Sequence, residues 1–245
     1  MNIKTFPPAF LNELSNELHG NKKGDVRLLI VLDWLYRWRY ASQQILVELL
    51  SITGTKGEAA SIRAALRRWD GRYIRSFTLA TDVSRVGYVL KADGLFKLSM
   101  AQPQRKFTKP FTETSALTTS AAKRHDLTVQ AAAIFMMKSQ GYTKYASEWE
   151  YRDGSRGKVF DCVIESPESR LGIEIELTPK TRTALHDALY AAAEAIDAGE
   201  VESVFYLVPT PALERLIKAA IADTKVKGVT VRVSPTVAKM SGVRQ

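Results

Sequence analysis

Cysteine and histidine are scarce in this 245-residue chain: one cysteine, Cys162, and three histidines, His19, His125 and His186, far apart in sequence. A single thiol permits no intrachain disulfide and excludes a cysteine-rich zinc site. The scattered histidines leave little material for a zinc enzyme. Long apolar runs are lacking as well. Near the N-terminus the longest is Leu28–Leu32, ended by Asp33, far too short to span a bilayer. The opening MNIKTFPPAF has neither the apolar stretch nor the small-residue cleavage site of a secretory signal. These absences lead to the expectation of a cytoplasmic protein without structural metal or membrane insertion. What is present is ordinary globular composition, with 45% hydrophobic and 25% charged residues, which argues against a disordered chain.

An acidic excess is also absent, and the basic excess is one-sided. The net charge of +9 lies entirely in residues 1–110, which hold 18 Lys and Arg against 9 Asp and Glu, whereas residues 111–245 hold 17 of each sign. A chain that docks one half on a polyanion needs this split, and nucleic acid is the leading candidate.

The segment from Ala101 to Ser120, AQPQRKFTKPFTETSALTTS, carries Pro103, Pro110 and many Ser and Thr without a sustained period. It reads as a linker over 101–120 between a domain at 1–100 and another at 121–245. In the first domain the spacing of Leu28, Leu32, Leu35 and Trp38 predicts a helix over 25–40, and Ser42 is placed to cap a second through Leu50. Thr55-Lys56-Gly57-Glu58 has the capping-box pattern for a third helix over 56–70. In that helix Ile62, Ala65, Leu66 and Trp69 form an apolar stripe, while Lys56, Arg63 and Arg67, joined by Arg68, form a basic one. Two β-like stretches follow, at 73–79 and 86–91, and a small helix near Asp93. Three helices and a β-hairpin are the order of a winged helix-turn-helix domain, in which the third helix enters the major groove. Lys56, Arg63, Arg67 and Arg68 are then the candidate DNA-binding residues, set against the plainer reading of a solvated helix face.

The second half predicts helix 123–139, strands at 144–151, 158–165 and 171–177, a helix from Thr178-Pro179 to Ala198, strand 201–208, helix 211–225 and strand 228–233. This order suggests an α/β domain with a central mixed sheet, and an α+β or α/β protein overall. Its chemistry concentrates in KVFDCVIESPESRLGIEIELTPKT, residues 158–181. Asp161 interrupts an apolar strand, where a carboxylate is costly unless paired or bound to a cation. Glu174 and Glu176 alternate with Ile173, Ile175 and Leu177, so both face one side. A tight turn at Pro167 brings Asp161 beside Glu174. Three converging carboxylates call for a hard divalent cation, Mg²⁺ or Mn²⁺, which suits phosphodiester cleavage. Lys180 is positioned to offset charge on the reacting phosphate. The alternative is that the glutamates are the wet side of an edge strand. His125, Glu148, Arg182, His186 and Tyr190 are outer candidates, supporting the acids or touching DNA. Glu150 shares a predicted strand face with Glu148, and Cys162 alternates away from Asp161 into the core.

These residues carry a resemblance. Asp161 and the glutamate pair, on a hairpin followed by a helix, look like the PD-(D/E)xK restriction-endonuclease core. The sequence of winged helix, linker and HDLTV…EWEYR…FDCVIE…IEIELTPKT resembles the replication-relaxation group and the MobC-type plasmid relaxases. The resemblance implies a bacterial relaxase that recognises a plasmid transfer origin, nicks one strand and acts with an accessory mobilisation protein and a coupling ATPase. It implies that Asp161 and Glu174 are metal-binding carboxylates, that Glu176 stands where the motif has lysine, and that Lys180 substitutes for that lysine. Tyr190 is a candidate for the tyrosine nucleophile of other relaxases. Two other readings stay open: a non-catalytic DNA-binding regulator of plasmid replication or transcription with a degenerate nuclease-like domain, and an ordinary double-strand endonuclease.

Overall fold

The computed structural model describes residues 23–52, 58–79, 85–107, 120–140, 142, 144–152 and 158–242. It is a mixed α+β protein with one three-stranded antiparallel sheet and one five-stranded mixed sheet. The chain divides into two compact units, one of residues 1–123 with 136–143, the other of residues 124–135 with 144–245. Among the described residues no helix is long and apolar enough to cross a membrane.

In the first unit, helix α1 (Lys23–Trp38) is buried all round from Leu28 to Leu35, as a central helix must be. The polar residue in that stretch, Asp33, is 1% exposed and is held by Arg37 Nε at 2.8 Å and Arg105 at 2.5 Å. Strand β1 (Tyr40–Ser42) leads into α2 (Gln43–Ile52), where Ser42 Oγ accepts the Ile45 N–H at 3.2 Å. The capping expected of Ser42 is therefore present, and β1 is an addition the periodicity did not reveal. Helix α3 runs Ala59–Trp69, with Glu58 at its N-cap and no side-chain cap bond. It begins three residues after the expected start; Thr55, Lys56 and Gly57 lie outside the described residues. Ile62, Ala65, Leu66 and Trp69 are buried as the stripe predicts, and Arg63, Arg67 and Arg68 are exposed. Strands β2 (Ile74–Thr78) and β3 (Val86–Leu90) complete a sheet of order β1-β3-β2, followed by α4 (Ala92–Ala101). Trp34, Trp38 and Trp69 are all core residues.

Helix α5 (Ser120–Gln140) contributes its 124–135 stretch to the second unit. Strand β4 is short, Lys144–Ser147, and the chain then turns into a five-residue helix, α6 (Glu148–Arg152). The expected strand to Tyr151 is cut there, so Glu148 and Glu150 do not share a strand face. Glu150 instead folds back, its carboxylate accepting the Ser147 N–H at 3.3 Å. Strands β5 (Cys162–Ser166) and β6 (Ser169–Ile175) form the tight hairpin through Pro167. Helix α7 (Arg182–Asp197) starts at Thr181, whose Oγ1 accepts the Ala184 N–H, rather than at Pro179. Strand β7 (Ser203–Val208), α8 (Pro211–Thr224) capped by Thr210, β8 (Val229–Val233) and α9 (Pro235–Ser241) complete the unit.

The sheet order is β4-β5-β6-β7-β8, antiparallel from β4 to β6 and parallel from β6 to β8. On one face Val163, Val204, Tyr206, Val208, Val229 and Val231 pack against Leu185, Leu189, Leu213 and Ile217 of α7 and α8. Gly172 lies in β6 because Phe160 fills the space beside it: a Cβ there would stand 2.8 Å from the ring.

Candidate active site

The paired strands end where the acids begin. Cys162 is registered with Ile173, so the next step of the same ladder sets Asp161 opposite Glu174. Asp161 precedes β5 by one residue and Glu176 follows β6 by one. Glu176 prolongs the parallel pairing, its N–H donating to Leu207 O at 3.2 Å. The Ile175 N–H points the other way, and with no strand residue left there it donates to Asp161 Oδ2 at 2.7 Å. His125, on α5, brings Nε2 to 3.3 Å from the same Oδ2 and 3.1 Å from the Ile175 carbonyl oxygen.

The two glutamates are buried, 8% and 7% exposed, and each faces a lysine. Lys158 Nζ lies 2.9 Å from Glu174 Oε1, and Lys180 Nζ lies 2.5 Å from Glu176 Oε2. Glu174 is registered with Tyr206 across the parallel β6–β7 pair, which puts both side chains on the face covered by α7 and α8. The Tyr206 hydroxyl is fully buried and has no hydrogen-bond partner among the described residues.

The electrostatics of the pocket are set by burial and by three acids held close to Lys158, Lys180 and His125. Burial and the repulsion of Asp161 push the Glu174 carboxyl up to about 7, against the pull of Lys158 and Lys180. Burial works against the charged form of His125, yet attraction from Asp126 and Asp161 outweighs it and raises the imidazole to about 11. Lys180 is likewise raised: burial opposes its charge, and Glu176, Glu174 and Asp161 overcome that. Burial and the three acids push the Tyr206 hydroxyl up. Burial, aided by Asp161 and Glu150, does the same to the Cys162 thiol, which sits inertly in the core.

Asp161, Glu174, Glu176, Lys180 and His125 are thus brought together. Of the outer candidates His125 is therefore in the site, while the side chains of the others are not gathered there. Glu148 meets Asp161 through the main chain, its N–H donating to the Asp161 carbonyl at 3.2 Å. Arg182 pairs with Asp223 of α8 at 3.0 Å, and His186 Nε2 lies 4.0 Å from the same carboxylate. Tyr190, farther along α7, is about half exposed. Sequence reasoning missed Lys158 and Tyr206. A lysine three residues ahead of Asp161 was a visible signal, whereas Tyr206 looked like any aromatic in the apolar run VFYLV.

The reading that puts all three acids on one cation is not realised. Glu176 is engaged by Lys180, and among the described residues no group of three or more His, Cys, Asp or Glu is gathered to hold a metal ion. Oxygens are left to spare on two acids: among the described residues Asp161 Oδ1 and both Glu174 carboxylate oxygens accept no hydrogen bond, Glu174 Oε1 facing Lys158 as an ion pair only. Mg²⁺ characteristically binds through one or two carboxylates and fills its remaining positions with water and phosphate. Two opposed hard-oxygen donors, each with an oxygen not taken by a hydrogen bond among the described residues, therefore fit such an ion. Comparison with protein-family models, curated proteins and solved structures finds no match for the chain.

Proposed function

We propose that this protein is a DNA-binding, divalent-metal-dependent phosphodiesterase, and more narrowly a MobC-type relaxase that nicks one strand at a plasmid transfer origin in the bacterial cytoplasm. The observation that carries the reading is the opposition of Asp161 and Glu174, with Glu174 buried and raised to about 7 despite the pull of Lys158 and Lys180. Buried acids cost free energy, and a buried acid whose pKa is shifted by desolvation together with a specific charged neighbour is a mark of a functional site. Asp161 and Glu174 would hold Mg²⁺ or Mn²⁺, and when bound there the ion polarises a phosphodiester and eases ionisation of an attacking water. Lys158 and Lys180 offset the negative charge that gathers on a reacting phosphate. Glu176 holds Lys180 in place for that task. A PD-(D/E)xK-like core agrees with the mixed sheet and with acids at the ends of its β5–β6 hairpin.

The first unit supplies the grip on DNA in this reading. The order α1-β1-α2-α3-β2-β3, with β1 paired to β3, supports a winged helix, and the exposed Arg63, Arg67 and Arg68 on α3 support its use on phosphates and base edges. A coupling ATPase and an accessory mobilisation protein follow from the resemblance alone.

The deciding experiment incubates supercoiled plasmid carrying the cognate transfer origin with the full-length protein and Mg²⁺, Mn²⁺ or chelator. Open circles formed with metal, and absent with chelator or with Asp161→Ala, are the expected result. Supercoiled DNA left intact by the wild type with its accessory proteins present overturns the nuclease reading. One observation favours the second reading, a non-catalytic DNA-binding regulator: both glutamates already have lysine partners. That reading expects Asp161→Ala and Glu174→Ala to leave DNA binding and biological output unchanged.

A further inference from the structure

We propose that His125 is a positioning residue for the cation site, fixing the Asp161 carboxylate so that Oδ1 remains available to the ion. The proposal rests on the reading of Asp161 and Glu174 as ion-binding acids and deepens it.

The argument begins with the backbone of β6. In a strand, the N–H and C=O of one residue point to the same edge, so Ile175 presents both groups toward β5. Strand β5 starts at Cys162 and offers no main-chain partner at that level. Buried main-chain groups have to be satisfied. Two side chains do this: Asp161 Oδ2 accepts the N–H at 2.7 Å, and His125 Nε2 lies 3.1 Å from the carbonyl oxygen. The same Nε2 is 3.3 Å from Asp161 Oδ2, so its one N–H is shared by two acceptors.

This closed ring of three groups has a consequence for Asp161. The χ2 torsion of an aspartate is soft and roughly two-fold, so its intrinsic preference does not decide which oxygen faces where. Hydrogen bonds decide it. Oδ2 is held from two directions, by the strand and by α5, and Oδ1 is left without a hydrogen bond among the described residues. Remove His125, and a single main-chain N–H is left to orient the carboxylate, which then turns about that contact. Groups that orient a metal-binding carboxylate typically contribute about 10- to 100-fold to metal affinity.

A purely architectural role for His125, capping the end of β6 and no more, predicts something different. It predicts a loss of stability with no specific loss of ion affinity in the folded fraction. A third possibility, that His125 fills the ion's own position, predicts tighter binding once the ring is gone.

The test is Mn²⁺ binding to the full-length protein without DNA, read by calorimetry and by the electron paramagnetic resonance signal of free Mn²⁺. His125→Gln retains an amide N–H at about the position of Nε2; His125→Asn carries the same amide but is too short to reach Oδ2. Wild type and His125→Gln should bind alike, within about 3-fold. His125→Asn and His125→Ala should bind at least about 10-fold more weakly, with thermal unfolding showing that they remain folded at the assay temperature. Equal affinity in wild type, Asn and Gln variants overturns the positioning role, and so does tighter binding by the Ala variant. A wild type that takes up no more Mn²⁺ than Asp161→Ala removes the ion site itself, a failure distinct from equal affinities across the His125 series. Should the Ala variant not fold, the Asn and Gln pair still separates positioning from architecture.

Discussion

Lys158 Nζ sits 2.9 Å from Glu174 Oε1, and both side chains are only 11% exposed. The neighbouring pair, Lys180 with Glu176, is built differently: Glu176 is as buried as Glu174, yet Lys180 is 39% exposed. The two lysines thus serve in different dielectrics. Lys158 is the larger of the two restraints on the charge of Glu174. Substituting Lys158→Met should raise the Glu174 pKa above its value of about 7 and shift ionisation of that carboxyl into the alkaline range. Lys180→Met should move it less. Carboxyl-carbon NMR titration of the two variants reads the difference directly, and equal shifts would contradict the division of roles.

The raised Glu174 also fixes a pH dependence of stability. A carboxyl with a higher pKa folded than unfolded binds its proton more firmly in the native state. Stability therefore falls as pH rises through the interval from the unfolded value of about 4.5 to the folded value of about 7, and is level above it. Glu174→Gln removes that titration. The variant and wild type should differ little in relative stability between pH 3.5 and 4.5. Above pH 7 the variant should have gained about 1–3 kcal/mol relative to wild type. Denaturant unfolding at pH 4.5 and pH 8 measures both ends, and a pH-independent difference would show that Glu174 does not titrate in this range.

Much of this centre was legible in the sequence, for identifiable reasons. Asp161 stood out because a charge inside VFDCVI breaks an apolar strand, and the tight turn at Pro167 fixed the register that sets it against Glu174. Lys180 was visible four residues beyond Glu176. Other features depended on long-range pairing. After Lys144 the residues Glu148, Trp149, Glu150 and Tyr151 alternate as a strand would, while Glu150 folds back to the Ser147 N–H and the chain winds into α6. Pro179 suggested an earlier start for α7, but Thr181 supplies the acceptor that caps it. Tyr206 joined the site only because β7 runs parallel to β6 in a register that no local pattern encodes.

Packing beneath the acids is tight enough to be tested by one methyl group. Phe160 is wholly buried, adjoins Asp161, and carries the Lys158 ammonium 5.3 Å from its ring centroid. Gly172 faces that ring, and a Cβ at Gly172 would stand 2.8 Å from two ring carbons. The ring is not the end of a flexible side chain, so it must move as a body or the hairpin must open. Gly172→Ala should destabilise the fold by about 1–3 kcal/mol and weaken Mn²⁺ binding, since Phe160 and Asp161 are consecutive. Thermal unfolding and calorimetry check the two effects, and a neutral substitution would mean that the β5–β6 hairpin yields more readily than its packing implies.

The basic face of α3 makes a prediction of a different kind, in salt dependence. Each Lys or Arg that neutralises a DNA phosphate releases counterions, so the logarithm of affinity falls with the logarithm of salt in proportion to the number of such contacts. Arg63 and Arg67 lie four residues apart, on one exposed side of a helix whose opposite side, Ile62, Ala65, Leu66 and Trp69, is buried. The fold does not require their charge, so Arg63→Ala with Arg67→Ala should leave the unfolding midpoint nearly unchanged. If both contact phosphates, the double variant should bind DNA more weakly at every sequence and its salt slope should flatten by about 2. If either reads a guanine edge, its single substitution should instead narrow the gap between cognate and random DNA by about 1–3 kcal/mol. Arg68, on the flank of the stripe, separates the geometries: a helix lying deep in a groove engages it, and a helix resting on one strand leaves it idle. Fluorescence anisotropy with cognate and scrambled duplexes across a salt series distinguishes these outcomes, and an unchanged affinity and slope after Arg63→Ala, Arg67→Ala and Arg68→Ala together would reduce the stripe to a solvated helix face.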